Sequence, residues 1–301
     1  MTNSNTHNLT VGLVGLGVMG RGVAQNIMKK GYSLIGFDVN PSALEWLGSI
    51  GGKPARSLQE DMGKVDILIS FVVNDVQTEE VLFGKNGTGG AINTLKPHAL
   101  VVTCSTMSPS YVKSLAQRLE DKGIGMVDAP VTGGQVGANA GTLTIMVAGK
   151  PAYVTKARPV LECFGSGIYV LGEQPGMGSQ MKVINQLLCG VHIAAAGEAL
   201  AMARSQGLPL PITLEILRKG AANSWMLGDR GPRMVEENFD KPTSAIDIFV
   251  KDLSLVLDAA REKKFPATLA HAAYLEFIQA SARGLGALDD SAVTTNYHFE
   301  K

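Results

Sequence analysis

Apolar residues in the first half of the chain fall in short unbroken runs: TVGLVG from Thr10, SLIGFD from Ser33, VDILISFVV from Val65, ALVVTCS from Ala99, GMVDAPV from Gly125, LTIMVAG from Leu143 and IYVLG from Ile168. Strands buried on both faces require such continuous Val, Ile and Leu runs, whereas a half-exposed strand would alternate. Helical stretches separate them, so the pattern from about Leu9 to Gly172 predicts a parallel, doubly wound sheet. The Gly-rich segment between Asp128 and Gly149 reads as loop-like, near the working edge of that sheet.

Beyond Gly172 the pattern changes. Ser179 to Gln206 reads as one long helix ending at Gly207-Leu208-Pro209, a glycine cap with proline beyond it. Two further helical blocks, about 245–264 and 267–283, are bounded by Phe265-Pro266 and Gly284, and no strand run follows. The expected architecture is an α/β domain over residues 8–173, then an all-α C-terminal domain over 174–301 rooted on the long interdomain helix. The two are expected to pack across a cleft.

Composition narrows the functional classes. The 301 residues suffice for two domains. Only 18% are charged, against roughly 25% in ordinary domains, and 45% are hydrophobic, which excludes a disordered chain. Basic and acidic residues number 27 each, so the basic footprint of a nucleic-acid or membrane-surface binder is missing and neither partner is expected. Cys104, Cys163 and Cys189 lie far apart without a C-x-x-C, and His7, His98, His192, His271 and His298 show no ligand spacing. Neither a disulfide framework nor a metal site is expected. The opening MTNSNTHNL lacks the basic and apolar regions of a signal peptide, which with the scattered cysteines points to the cytoplasm.

Candidate chemistry begins at Gly15-Leu16-Gly17-Val18-Met19-Gly20, a G-x-G-x-x-G between the strand Thr10–Val14 and a helix running through Lys29. In that setting the first glycine permits the tight turn, the second lets a pyrophosphate approach the backbone, and the third allows close helix–strand packing. Asp38 ends the second strand about twenty residues on, where a carboxylate accepts both hydroxyls of an adenosine ribose. Val39, Asn40, Pro41 and Ser42 bring no arginine for a 2′-phosphate, so the expected cofactor is NAD. Turn and carboxylate together make the first domain Rossmann-type.

The long helix is apolar over much of its circumference and carries Lys182, with Gln186 four positions on and on the same face. Desolvation moves a lysine toward the range useful for proton transfer, which makes Lys182 a catalytic candidate; spacing alone equally permits a lysine snorkelling to the surface. Thr132-Gly133-Gly134 after Asp128-Ala129-Pro130-Val131 offers a hydroxyl and two unhindered amides that suit a carboxylate, or a turn that needs glycines.

Taken together, GLGVMG, DAPVTGG with GTLTIMVAG, G-x-G-x-x-x-K from Gly176 to Lys182, and Lys251-Asp252-Leu253 resemble the β-hydroxyacid dehydrogenase family over nearly the whole chain. The resemblance implies NAD-dependent oxidation of a small hydroxy acid to the oxo acid, with the proton passing to Lys182. It makes Thr132, Gly133 and Gly134 the substrate carboxylate site, and brings Gln186 and Asn223 to the substrate. It further implies that Gly15, Gly17, Val18, Met19 and Gly20, then Asp38, Val39 and Asn40, then Val73, Asn74, Thr106 and Lys251 bind the cofactor.

Two positions depart from the family pattern: Thr132 stands where serine is usual, and Gln186 where asparagine is usual. That glutamine, with Ala222–Met226, Ser244–Asp252 and Asp289–Val293, resembles the L-threonate dehydrogenase branch. The alternatives are 3-hydroxyisobutyrate dehydrogenase or tartronate semialdehyde reductase, a 3-hydroxy amino acid (phenylserine-type) dehydrogenase, and a non-catalytic dinucleotide-binding module. Lys182 disfavours an imine reductase, and the short chain without an evident basic cluster disfavours a 6-phosphogluconate enzyme. The apolar long helix exceeds what one chain covers, so a homodimer or homotetramer is expected.

Overall fold

The computed structural model describes residues 9–297; His7 and His298 lie outside them. The chain divides into two compact units, the first ending at Lys182 and the second beginning at Val183. The first contains β1 (Thr10–Val14), α1 (Val18–Lys29), β2 (Ser33–Phe37), α2 (Pro41–Ser49), β3 (Lys53–Pro54), α3 (Leu58–Asp61), β4 (Ile67–Ser70) and α4 (Asp75–Phe83). A hairpin of β5 (Gly84–Lys85) and β6 (Thr88–Gly89) precedes β7 (Leu100–Thr103), α5 (Pro109–Glu120) and β8 (Gly125–Asp128). Then come β9 (Val131–Thr132), α6 (Gly134–Ala140), β10 (Leu143–Ala148), α7 (Pro151–Leu161) and β11 (Gly165–Gly172).

The strands lie in the order β11-β10-β8-β7-β4-β1-β2-β3, with β9 paired to β10. Both faces are buried, as the unbroken apolar runs require. In β1, Val11 and Leu13 enter the cluster covered by α1, α2, α6 and α7, while Val14 enters the opposite cluster with α4 and α5. Pairing is parallel from β3 through β8, and β10 pairs parallel with β11, but β10 meets β8 antiparallel, with Ala148 opposite Asp128. The reversal needs no crossover helix, because the chain after β8 folds back along the same edge.

That return path holds an element the sequence pattern missed. The segment GQVGANA forms α6 rather than loop; it has no apolar stripe of its own and is held by α1. Asn26 Nδ2 donates to Ala138 O at 2.8 Å, and a Cβ at Gly22 would lie 2.7 Å from the Ala138 carbonyl carbon, so glycine there permits the contact.

A single helix, α8 (Met177–Ser205), carries the chain from one unit into the next. The second unit continues with α9 (Leu210–Lys219), α10 (Trp225–Glu236), α11 (Ile246–Glu262) and α12 (Thr268–Ala280), and ends in a 3₁₀ segment, Asp290–Tyr297. Helices α9 and α10 were not anticipated as separate elements; Pro211 lies in the first turn of one and Pro232 inside the other. The core of this unit includes Phe249 and Phe277, stacked with ring centroids 5.1 Å apart.

A buried ionic network ties the terminal segment to α10. Arg230 donates through Nε and Nη2 to the two carboxylate oxygens of Asp290, each at 2.8 Å, and Arg233 reaches Asp289, whose other oxygen accepts from Thr243. Asp289 and Asp290 are fully buried. Removing one member strands a buried charge, so Asp290→Ala is expected to cost about 3–5 kcal/mol in urea unfolding. Lys219→Ala, which loses only the exposed pair with Glu215, is expected to stay within about 0.5 kcal/mol of wild type.

Candidate active site

Five adjacent strands end in one lateral row: Phe37, Val14, Ser70, Thr103 and Asp128 are direct neighbours across β2, β1, β4, β7 and β8. Every candidate of the first unit except Lys182 follows this row within six residues. Gly15 to Gly20 follow Val14; Asp38, Val39 and Asn40 follow Phe37; Val73 and Asn74 follow Ser70; Thr106 follows Thr103; and Thr132, Gly133 and Gly134 follow Asp128. Open α/β sheets bind ligands outside the carboxyl ends of their strands, so one edge assembles them.

The glycines of the first turn differ in kind. Gly15 has φ of 99°, and a Cβ there would lie 2.4 Å from the Phe71 carbonyl oxygen; a Cβ at Gly20 would lie 2.0 Å from the Gly15 oxygen. Both are demanded by the fold. Gly17 has an ordinary φ of −72°, and nothing lies within 4 Å of an added Cβ. Its glycine keeps open a cradle before the N-terminus of α1, where no side chain caps the first amides. A pyrophosphate fits that combination of space, donors and helix dipole.

Asp38 stands beside the cradle. Its Oδ2 accepts from Leu16 N at 2.6 Å and its Oδ1 from Asn40 N at 2.8 Å, so the carboxylate is fixed against the turn with lone pairs left for two ribose hydroxyls. Val18, Val39 and Val73 are exposed at this edge. Asn74 caps α4, its Oδ1 accepting from Gln77 N at 2.8 Å. Thr132 is the last residue of β9, and Gly133 and Gly134 follow with φ of 125° and 60° at the start of α6.

Asp128 holds α8 to the same edge. Its Oδ2 accepts from Gly176 N at 2.9 Å and Ser179 N at 2.8 Å, and its Oδ1 from Ser179 Oγ at 2.8 Å. A Cβ at Gly178 would lie 2.5 Å from the Met146 oxygen, so the helix begins in contact with β10. Burial pushes the Asp128 carboxyl up to about 6, opposed by these hydrogen bonds. Lys182 follows Ser179 by three residues on α8 and is only 8% exposed, which does not match a lysine snorkelling to the surface.

In the second unit Gln186 is buried, and its Nε2 donates to Asp252, as does Lys251 Nζ. Asn223 is exposed and lines a cavity of about 660 Å³ with Arg218, Ser224 and Trp225; Ser224 caps α10. Burial pushes the Cys104 thiol far up, with the Asp128 charge adding to it, and the Cys163 thiol up to about 11, so neither is an activated nucleophile. Among the described residues no group of three or more His, Cys, Asp and Glu is placed to hold a metal. Sequence reasoning did not select Asp128 or Asp252 for the site, although both stand inside quoted motifs. The partners of Asp128 lie 48 to 51 residues away and Gln186 lies 66 from Asp252, separations no local spacing reveals.

Comparison with known proteins covers both units. Residues 10–172 match the family described as the NAD binding domain of 6-phosphogluconate dehydrogenase, and residues 176–297 match that described as NAD-binding of NADP-dependent 3-hydroxyisobutyrate dehydrogenase. The chain is 42% identical to an L-threonate dehydrogenase of Cupriavidus necator over 94% of each chain. The crystal structure of a 3-hydroxyisobutyrate dehydrogenase from Salmonella typhimurium is 42% identical, with a TM-score of 0.91 over 96% of this chain and 99% of that one. A Mycobacterium tuberculosis 3-hydroxyisobutyrate dehydrogenase with L-serine is 27% identical, with a TM-score of 0.82 over 97% and 99%.

Gly17→Ala is expected to fold and melt like wild type without cofactor yet lose the rise in melting temperature that NAD confers. Gly20→Ala, whose methyl meets backbone, is expected to lower melting with or without NAD. Asp128 supplies a pH signature. Its folded carboxyl, raised above the usual 3.8, binds more protons than the unfolded one between pH 4 and 6, so its contribution to stability grows as pH falls through that window, by roughly 3 kcal/mol. Asp128→Asn keeps the shape and removes the titration; in urea unfolding wild type should gain on that variant from pH 7.5 to 4.5.

Proposed function

The chain belongs to the β-hydroxyacid dehydrogenase family of NAD-binding oxidoreductases, and from that premise we propose that it oxidises L-threonate, a four-carbon sugar acid, to the oxo acid. The observation that carries the reading is the coincidence, at one sheet edge, of the open Gly17 cradle with the Asp128 clamp on the helix that bears buried Lys182. Bound NAD supplies the hydride acceptor. Its pyrophosphate fits the α1 amides and its ribose fits Asp38, with Val18, Met19, Val39, Asn40, Val73, Asn74, Thr106 and Lys251 assigned alongside it.

Thr132 Oγ1 and the amides of Gly133 and Gly134 hold the substrate carboxylate, which aims the carbinol carbon. Lys182 Nζ accepts the hydroxyl proton as the C–H bond gives up its hydride, and returns it to the carbonyl oxygen in the reverse direction. Gln186 and Asn223 hold the remaining polar groups of the acid. In this reading residues 8–173 are the cofactor domain and 174–301 the substrate and oligomerisation domain of a cytoplasmic enzyme.

Assembly as a homodimer or homotetramer belongs to the same reading. Met181, Ile184 and Leu188 are exposed at helical spacing along α8, and Met202 is 65% exposed. By length and composition α8 could cross a membrane, and half of its most apolar window is buried inside the protein; a second copy is the cover we assign to the exposed stripe.

The test is NADH formation with L-threonate, D-erythronate, 3-hydroxyisobutyrate, D-glycerate and L-phenylserine, with NAD or NADP. L-Threonate is expected to react fastest, with NAD preferred at least about tenfold because Asp38 repels a 2′-phosphate. Faster turnover of another acid would discard the substrate and keep the chemistry. Lys182→Ala is expected to bind NAD within about threefold of wild type while kcat falls at least about a thousandfold, the general-base contribution and its positioning being lost together. Near-normal turnover in that variant would remove the lysine from the mechanism.

A further inference from the structure

Asp252 lies in α11 and is only 2% exposed, yet the core contacts of this helix come from Ile246, Phe249, Leu253 and Val256. Its Oδ2 accepts from Gln186 Nε2 at 2.5 Å, and its Oδ1 accepts from Lys251 Nζ at 2.5 Å. The other end of the Gln186 amide is engaged as well: Oε1 accepts from Asn185 Nδ2 at 2.8 Å. The amide is therefore oriented, nitrogen toward Asp252 and oxygen toward Asn185. Asparagine at position 186 would end one methylene short of this carboxylate.

A buried carboxylate is poor value as a stabiliser, because an apolar residue of similar size usually serves the fold as well or better. What it does provide is a fixed orientation for the groups that donate to it. Both donors here are residues assigned above to the reacting molecules, Gln186 to the substrate and Lys251 to the cofactor. On that functional reading we propose that Asp252 is a positioning residue for the dehydrogenase reaction. It sets the Gln186 amide and the Lys251 ammonium in register, and it makes the glutamine rather than an asparagine the working length at position 186.

The test uses the full chain with NAD and the fastest acid of the panel, comparing Asp252→Asn, Gln186→Asn and the double variant. Each is characterised by melting temperature, NAD dissociation constant, kcat and KM. Asp252→Asn is expected to melt near wild type and to raise the KM of the acid at least about tenfold. Gln186→Asn is expected to lose in the same parameter, and the double variant to lose no more than Asp252→Asn alone, because the register is already gone. Losses that multiply, or a lowered melting temperature with unchanged kcat/KM, would overturn the proposal and leave Asp252 a structural residue. Should Asp252→Asn fail to fold, Asp252→Ser, which also removes the charge, is read in the same way. Silence of wild type across the panel overturns the functional reading and the proposal with it; an active wild type with multiplying losses overturns Asp252 alone.

Discussion

One buried carboxylate fixes where α8 begins. Asp128 accepts two backbone N–H groups and a hydroxyl from the stretch 176–179, satisfying donors that a helix N-terminus otherwise leaves without partners. The contact is close enough that Gly178 cannot carry a side chain. A helix is stiff over a single turn, so fixing Ser179 also fixes the direction in which Lys182 departs from the helix. The same aspartate closes β8 and stands in the row of strand ends, and the run to Thr132 starts from it. Lys182 and the turn at Thr132 thus take their positions from one residue, which explains why the chain tolerates the desolvation of Asp128.

The remainder of the edge follows from strand register. Parallel pairing places the carboxyl ends of β2, β1, β4, β7 and β8 side by side, and each connection that leaves the row brings one or two polar or unhindered groups. These connections were legible in the sequence because each strand is a continuous apolar run whose end is marked by Gly15, Asp38, Asn74, Thr106 or Thr132. The glycine turn was legible in detail: Gly15 and Gly20 meet backbone, while Gly17 meets open space.

Other features left no local trace. Helix α6 has the composition of a loop and is helical because Gly22 and Asn26 of α1, more than a hundred residues earlier, fit against its end. Helices α9 and α10 each carry a proline, Pro211 in a first turn where its missing N–H costs nothing and Pro232 in a helix interior. Arg230 and Arg233 find their partners in Asp290 and Asp289, which reach them from the far end of the chain. Periodicity reports which face of an element is buried; it does not report which distant carboxylate satisfies a buried donor.

On the proposed reading, in which Gln186 meets the acid, the choice of substrate turns on the same kind of contact. Relatives of equal identity, 42%, are named for L-threonate and for 3-hydroxyisobutyrate, the first a linear acid with three hydroxyls and the second a methyl-branched acid with one. An apolar wall separates such a pair only by roughly 10- to 200-fold, whereas a placed hydrogen-bonding group can do far better, because the wrong ligand leaves it unpaired. Gln186 has given one N–H to Asp252 and one lone pair to Asn185, which leaves its amide one donor and one acceptor. A hydroxyl, donor and acceptor at once, can use either; a methyl can use neither. If Gln186 meets the substrate as proposed, a glutamine held in that orientation favours a polyhydroxy acid over a branched aliphatic one.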